Sequence, residues 1–141
     1  MPDQKAKNRK FFVDALPHCR ELGMELEKIE PGRAEVSMPY DSRLIGDPES
    51  GVIHGGAISA LMDTCGGAAV MSHPRAGRGT ATLGLRIDYL RSATPGQRIV
   101  ARAECYHVTR TVAFVRASAW DDDAETPIAS ASATFTVERK K

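Results

Sequence analysis

The residues best suited to chemistry lie between Gly51 and Gly56, in the stretch Gly-Val-Ile-His-Gly-Gly. Gly55 and Gly56 lie at the junction between a loop and a predicted helix, so their backbone N–H groups would lie at the positive end of its dipole. Such a helix start can bind an anion, including the oxyanion that develops when a carbonyl carbon is attacked. A tight turn is the simpler interpretation of two adjacent glycines.

Asp63 is the only charged residue between Gly55 and Ser72. A carboxylate in an otherwise apolar helix costs free energy unless it is hydrogen-bonded, hydrated or functional. Eight residues of helix place Asp63 about 12 Å along the axis from Gly55. Two such groups on one chain cannot both touch one small carbonyl group. If both act, we expect a homodimer with two reciprocal sites, each using the glycine turn of one chain and the acid of the other.

The predicted helix covers residues 56–71, and its apolar side chains recur at helical spacing. Because its other faces carry mostly Ala, Gly, Thr and Ser, we expect it to be buried on most sides. The Gly66-Gly67 pair costs helix stability of about 2 kcal/mol relative to two alanines. Close approach of another backbone, such as a partner helix, would explain that cost.

Alternation of apolar and polar residues predicts strands at residues 22–29, 34–38, 81–89, 99–106, 111–120 and 128–137. Short turns between the last four favour an antiparallel sheet. The predicted fold class is α+β, with a sheet of about six strands wrapped around one long helix. Residues 41–51 are expected to form a loop. A short helix at residues 8–16, ended by Pro17, would make residues 1–20 an extension of one domain at 1–141.

Composition excludes several classes of function. The chain has 141 residues, with 19 Lys and Arg against 18 Asp and Glu, so no basic excess favours nucleic-acid binding. No apolar run reaches the roughly 18 residues of a membrane span, and the polar N-terminus does not resemble a secretory signal. Three widely spaced cysteines favour neither a disulfide framework nor a zinc site. We therefore expect a cytoplasmic protein.

Three sequence motifs carry a resemblance to a known family. They are Leu44-Ile45-Gly46-Asp47-Pro48, Val52-Ile53-His54-Gly55-Gly56 with Asp63, and Ile87-Asp88-Tyr89-Leu90-Arg91. Together they resemble the hotdog-fold acyl-CoA thioesterases, and among these the phenylacetic-acid-degradation group. The resemblance extends from about residue 22 to 137. It implies a sheet wrapped around one helix, and a homodimer with a continuous sheet that often pairs again into a homotetramer.

The resemblance also implies roles for individual residues. Gly55, helped by Gly56, would supply the oxyanion-hole N–H group, and His54 would position the thioester and the loop. Asp63 would act on water as general base or attack directly as nucleophile. Thr82 would help to hold the attacking water.

Further residues are candidates for substrate binding. Asp47 occupies a position where one common version of the family has Asn, which leaves open a substrate contact or a second acid. An apolar pocket is suggested by Leu44, Ile45, Leu61 and Met62. Two arginines are candidates for binding the CoA phosphates, Arg91 and Arg110. Cys65, on the apolar stripe, is expected to pack in the core.

The leading hypothesis is an acyl-CoA thioesterase that needs no metal or other cofactor. Two alternatives remain open at this point. A hotdog hydratase or dehydratase would pair a catalytic histidine, for which His54 is available, with an acid. A non-catalytic acyl-CoA binding module would keep the pocket but would not need Asp63.

Overall fold

The structure, a computed structural model, describes residues 15–76 and 79–138. Two helices are present in these ranges, α1 at Pro17–Glu21 and α2 at Gly55–Ser72. The strands, in chain order from β1 to β8, are Glu25–Glu30, Arg33–Met38, Ile45–Asp47, Val52–Ile53, Thr82–Tyr89, Ile99–Val108, Val112–Trp120 and Ala129–Thr136. No helix in the described ranges is long and apolar enough to cross a membrane.

Six of the strands form one antiparallel sheet in the order β1-β2-β6-β7-β8-β5. Helix α2 packs against the inner face of this sheet, so the predicted fold class is confirmed. Strand β5 hydrogen-bonds only to β8 among the described strands, which leaves its other edge unpaired. Strands β3 and β4 form a separate two-stranded ribbon just before α2.

Small side chains on the sheet allow α2 to lie close to it. The inner positions of the central strands are mainly alanines, and all of the following are buried: Ala34, Ala101, Ala103, Ala113, Ala117, Ala119, Ala129, Ala131 and Ala133. The helix supplies the larger groups in return, with Leu61 and Met62 at most 1% exposed. This exchange of small and large side chains fills the space between helix and sheet.

Gly66 has a different role from the one expected. A Cβ at this position would lie 2.9 Å from the Phe135 ring, so the glycine makes room for a side chain of β8. Gly67 lies beside the same ring and Thr80. Packing within one chain therefore accounts for the glycine at position 66, whereas a Cβ at position 67 would make only ordinary contacts. The close approach of a partner helix stays a prediction.

Two other local predictions need correction. Pro17 begins helix α1 and does not end a helix, because proline suits the first helical position, where its missing N–H is not required. Leu16 precedes α1 with extended backbone, and residues 8–14 of the predicted helix lie outside the described ranges. The predicted loop at residues 41–51 contains strand β3 and a 3₁₀ turn, Ser42–Leu44.

Candidate active site

The start of α2 is organised around His54. Its Nδ1 accepts a hydrogen bond from the Gly56 N–H at 2.8 Å, and its carbonyl oxygen accepts one from the Ala57 N–H at 3.0 Å. In the neutral form its ring proton is therefore on Nε2. The Gly56 N–H is occupied by this cap, whereas the Gly55 N–H has no acceptor among the described residues. Of the two predicted donors, Gly55 alone keeps its N–H available.

The β3–β4 ribbon fixes the backbone of His54 from the other side. The His54 N–H donates to the Leu44 carbonyl oxygen at 2.8 Å. A Cβ on Gly46 would lie 2.7 Å from the His54 Cα, so only glycine lets the strand approach this closely. The ribbon thus sets where the glycine turn begins.

Asp63 and Thr82 are in direct contact. The Thr82 hydroxyl donates to the Asp63 Oδ1 at 2.6 Å, and Asp63 is half-buried in the surface of α2. The second carboxylate oxygen, Oδ2, has no hydrogen bond to any described residue. The Thr82 oxygen retains lone pairs that can accept a hydrogen bond. A water molecule at this point would meet two acceptors, one of them a carboxylate.

A β-bulge turns Thr82 toward the helix. Thr82 pairs with Phe135 and Gly84 with Thr134, so Leu83 is an extra residue in β5. In a regular strand Thr82 would share the outer face with Arg86, as the sequence alternation implies. The bulge reverses this phase, so that Thr82 faces α2 and Leu83 points outward, 59% exposed.

Tyr89, at the far end of β5, makes a contact that sequence reasoning missed. Its hydroxyl donates to the Gly55 carbonyl oxygen at 2.7 Å. The ring is close enough that a Cβ on Gly55 would lie 3.3 Å from its nearest carbon. Tyr89 stands in one of the motifs that carried the family resemblance, and its place in that motif is the sequence signal that could have pointed to it.

Strand β5 therefore touches α2 at two separate points, Thr82 with Asp63 and Tyr89 with Gly55. Tyr89 is seven positions after Thr82 along the strand, a span of roughly 23 Å. Asp63 and Gly55 are about 12 Å apart along the helix axis. Within one chain the acid and the free N–H thus lie in different places.

Only some of the residues predicted to contact the substrate lie near the glycine turn. Leu44 and Ile45 are half-buried beside the glycine turn, but Leu61 and Met62 belong to the core and do not reach this surface. Asp47 closes its own turn, because it accepts hydrogen bonds from the Ser50 hydroxyl at 2.6 Å and the Glu49 N–H at 3.1 Å. These bonds lower the pKa of the Asp47 carboxyl below its usual value.

The two predicted phosphate-binding arginines also differ. Arg91 donates two hydrogen bonds to the Asp121 carboxylate, at 2.7 and 2.8 Å, and others to the Thr126 carbonyl oxygen. These bonds and those from Thr94 hold the pKa of the buried Asp121 carboxyl far below its usual range. Arg91 is therefore committed to a structural ion pair and is a poor candidate for phosphate. Arg110 lies in the exposed β6–β7 turn, at the end of the sheet where β5 begins.

Other candidate chemistry lies outside this site. Cys65 is fully buried and donates to the Ala34 and Ala101 carbonyl oxygens, and burial raises the pKa of its thiol to about 12, so its predicted packing role is confirmed. A surface cleft of about 450 Å³ lies on the outer face of the sheet, where Arg102 and Arg116 line it. Among the described residues, no group of three His, Cys, Asp or Glu is placed to hold a metal ion.

Comparison with known proteins decides the family. Residues 50–128 match the model of the thioesterase superfamily. The chain belongs to the thioesterase superfamily. This stretch includes the glycine turn, α2 with Asp63, and β5, and the chain is accordingly a thioester hydrolase. The superfamily match favours hydrolysis over the hydratase and the non-catalytic binding module.

Individual relatives of this thioesterase support the same assignment. It is 29% identical over 140 residues to the medium/long-chain acyl-CoA thioesterase YigI of Salmonella typhimurium, covering 90% of this chain and 89% of YigI. A crystal structure from Pseudomonas aeruginosa is 39% identical with a TM-score of 0.82, covering 94% and 98% of the two chains. The phenylacetic acid degradation protein PaaI of Thermus thermophilus, in a mutant form, is 26% identical with a TM-score of 0.75, covering 87% and 100%.

Proposed function

We propose that this thioesterase hydrolyses acyl-CoA, with Asp63 as general base and the Gly55 N–H as oxyanion donor. The Asp63–Thr82 hydrogen bond of 2.6 Å is the observation that carries the proposal. It orients one carboxylate oxygen and leaves the other, with the Thr82 lone pairs, to hold a water molecule. This arrangement suits a base acting on water better than direct attack by the carboxylate.

The proposed reaction needs only groups of the chain and water. The water oxygen attacks the thioester carbonyl carbon while Asp63 takes one of its protons. The carbonyl oxygen becomes an oxyanion that accepts a hydrogen bond from the Gly55 N–H at the start of α2. The tetrahedral intermediate then collapses, the C–S bond breaks, and CoA leaves as a thiolate, which takes up the proton that Asp63 removed from water and so restores the carboxylate. The products are one carboxylic acid and one free CoA thiol.

We further propose that the complete site is shared between two copies of the chain. Strand β5 has a free edge, and two exposed apolar side chains lie near its ends, Leu83 within the strand at 59% exposure and Leu90 just after it at 54%. Two such edges that pair antiparallel about a two-fold axis place the start of one β5 near the end of the other. Thr82 and Asp63 of one copy would then approach the glycine turn of the second, which removes the separation found within one chain.

The proposed substrate is an acyl-CoA in which the acyl group is still to be identified. The relative named as a medium/long-chain acyl-CoA thioesterase gives the first range of chain lengths to test. Leu44 and Ile45 are half-buried, and the Leu44 carbonyl oxygen accepts from the His54 N–H, so these two side chains are the first to test for contact with the acyl group. We place the enzyme in the cytoplasm, where its three buried free cysteines would stay reduced, and expect its dimers to pair into tetramers.

The test is release of free thiol from short, medium, long and aromatic acyl-CoA substrates. The unaltered protein should turn over at least one class, and Asp63→Asn should lose activity on the order of 100-fold or more, because an amide cannot accept the proton. Asp122→Asn, at an exposed turn on a different part of the chain, is the matched control and should retain full activity.

Two results would contradict the proposal. One is a folded Asp63→Asn protein with near-normal kcat on the best substrate. The other is the absence of thiol release from every acyl-CoA class by the unaltered protein. Circular dichroism on each variant separates loss of the base from loss of the fold.

A further inference from the structure

We propose that Tyr89 is a positioning residue, which holds the peptide unit between Gly55 and Gly56 so that the Gly55 N–H points at the oxyanion. This inference rests on the proposed function, because it concerns the same donor. It begins from the 2.7 Å hydrogen bond between the Tyr89 hydroxyl and the Gly55 carbonyl oxygen.

Two adjacent glycines need external support to keep one orientation. Glycine has the widest backbone freedom of any residue, and a turn that must present one N–H group accurately cannot depend on its own dihedral preferences. The peptide unit between Gly55 and Gly56 is held at both ends. Its carbonyl oxygen accepts from Tyr89, and its N–H donates to His54 Nδ1 at 2.8 Å.

The preceding peptide unit is held at one end only. The His54 carbonyl oxygen accepts from the Ala57 N–H, while the N–H on the same unit, that of Gly55, has no acceptor among the described residues. These three hydrogen bonds hold the two peptide units on either side of Gly55, in addition to the bond from the His54 N–H to the ribbon, and they leave one donor unused. Tyr89 supplies the only one of the three that comes from outside the segment 54–57.

Tyr89 also ties the donor to the strand that carries Thr82. Both side chains belong to β5, and the bulge at Leu83 brings Thr82 to the face of the strand on which Tyr89 lies. A displacement of this strand would therefore move the water-holding Thr82 and the support of Gly55 together. Tyr89 remains half-exposed, with 51% of its surface accessible, so its ring is not a core group whose loss would unfold the chain.

The test compares Tyr89→Phe with Tyr106→Phe. The first keeps the ring and removes the hydroxyl that supports Gly55. The second removes a hydroxyl of similar exposure, 45%, from a ring that stacks on Arg116 at the outer face of the sheet. Since oxyanion stabilisation acts in the transition state, Tyr89→Phe should lower kcat about 10-fold and leave KM within about 2-fold. Tyr106→Phe should change neither constant.

A second measurement does not depend on activity. The Tyr89 hydroxyl polarises the peptide unit that carries the Gly56 N–H, so in Tyr89→Phe the amide proton resonance of Gly56 should move upfield. Unchanged kcat in Tyr89→Phe, a rise in KM at constant kcat, or an unmoved Gly56 resonance would each overturn the inference. In all three cases thiol release by the unaltered protein and its loss in Asp63→Asn would persist, so failure of the inference is distinct from failure of the proposed function.

Discussion

At the scale of single residues, the two oxygens of the Asp63 carboxylate have different hydrogen-bond partners. Oδ1 accepts from the Thr82 hydroxyl, whereas Oδ2 faces no donor among the described residues. A carboxylate held at one oxygen keeps a fixed orientation, and its other oxygen can take a proton from water. In the proposed mechanism the hydroxyl of Thr82 therefore acts through Asp63 as well as on the water itself.

Thr82→Val tests this division of roles. Valine has nearly the same shape but cannot donate to Oδ1 or accept from water, so kcat should fall about 10-fold to 100-fold. Thr82→Ser keeps the hydroxyl and should stay within about 3-fold of the unaltered protein. Steady-state thiol release measures both, and equal activity of the valine and serine variants would show that the hydroxyl is not used.

At the scale of elements, the fold depends on how connections are fixed at the ends of the sheet. Asp121, buried at the end of β7, accepts from Arg91 and from the Thr94 N–H and hydroxyl. It joins the segment after β5 to the turn between β7 and β8. The carboxylate is desolvated but fully hydrogen-bonded, so removal of its charge leaves Arg91 partly buried without its partner.

Asp121→Asn should therefore lower the free energy of unfolding at pH 7 by about 2 kcal/mol or more. Because the folded-state pKa of Asp121 is depressed, its contribution is complete above the unfolded-state pKa, about 3.9, and is lost as the pH falls toward the folded-state value. Urea unfolding between pH 7 and pH 2 should show a steeper loss for the unaltered protein than for Asp121→Asn.

Asp41→Asn is the matched control for that series. Asp41 makes a similar paired contact with Arg43, but at the exposed surface, so its removal should change stability little at any pH. Equal free energies of unfolding for the two variants at pH 7 would contradict the argument that burial makes the Asp121–Arg91 pair more stabilising than the exposed Asp41–Arg43 pair.

Regular elements were predictable from the sequence, and irregular ones were not. The apolar stripe on α2 and the alternation in β6, β7 and β8 depend on many residues, so single exceptions do not hide them. Strands β3 and β4 have three residues and two, too few to show a period. The bulge at Leu83 is one extra residue, and regular alternation without it would place Thr82 on the same face as Arg86.

In the candidate site, too, only some features were predictable from the sequence. Asp63, Gly55 and Thr82 were found because their residue types are unusual in their surroundings or match a family motif. Tyr89 and the pairing of Arg91 with Asp121 depend on long-range contacts between segments 30 or more residues apart. Such contacts leave no periodic signal in one sequence. The sequence alone therefore suggests phosphate binding for Arg91 and indicates no role for Tyr89.

At the scale of the whole molecule, one chain carries two incomplete halves of the proposed site. The acid with its water-holding hydroxyl lies at the start of β5, and the oxyanion turn with its supporting tyrosine lies at the end. The unpaired edge of β5 lies between them. Pairing of two such edges would complete two sites at once and would cover Leu83 and Leu90.

The most direct test of this account is a heterodimer of two inactive parents. One parent is Asp63→Asn, and the other is Gly55→Pro, which removes the free N–H. Proline suits this position because it is the first residue of α2 and because His54 before it is extended, with ψ of 134°. Gly55→Ala, which adds a Cβ but keeps the N–H, is the control for crowding against Tyr89 and should keep most of its activity.

Each parent homodimer should be nearly inactive in thiol release. A heterodimer, purified with two different tags and checked by light scattering, would contain one site with both lesions and one with neither. It should recover up to about half of the activity of the unaltered dimer. A well-folded heterodimer as inactive as its parents would contradict the account, because it would mean that Asp63 and the Gly55 N–H do not meet across two chains.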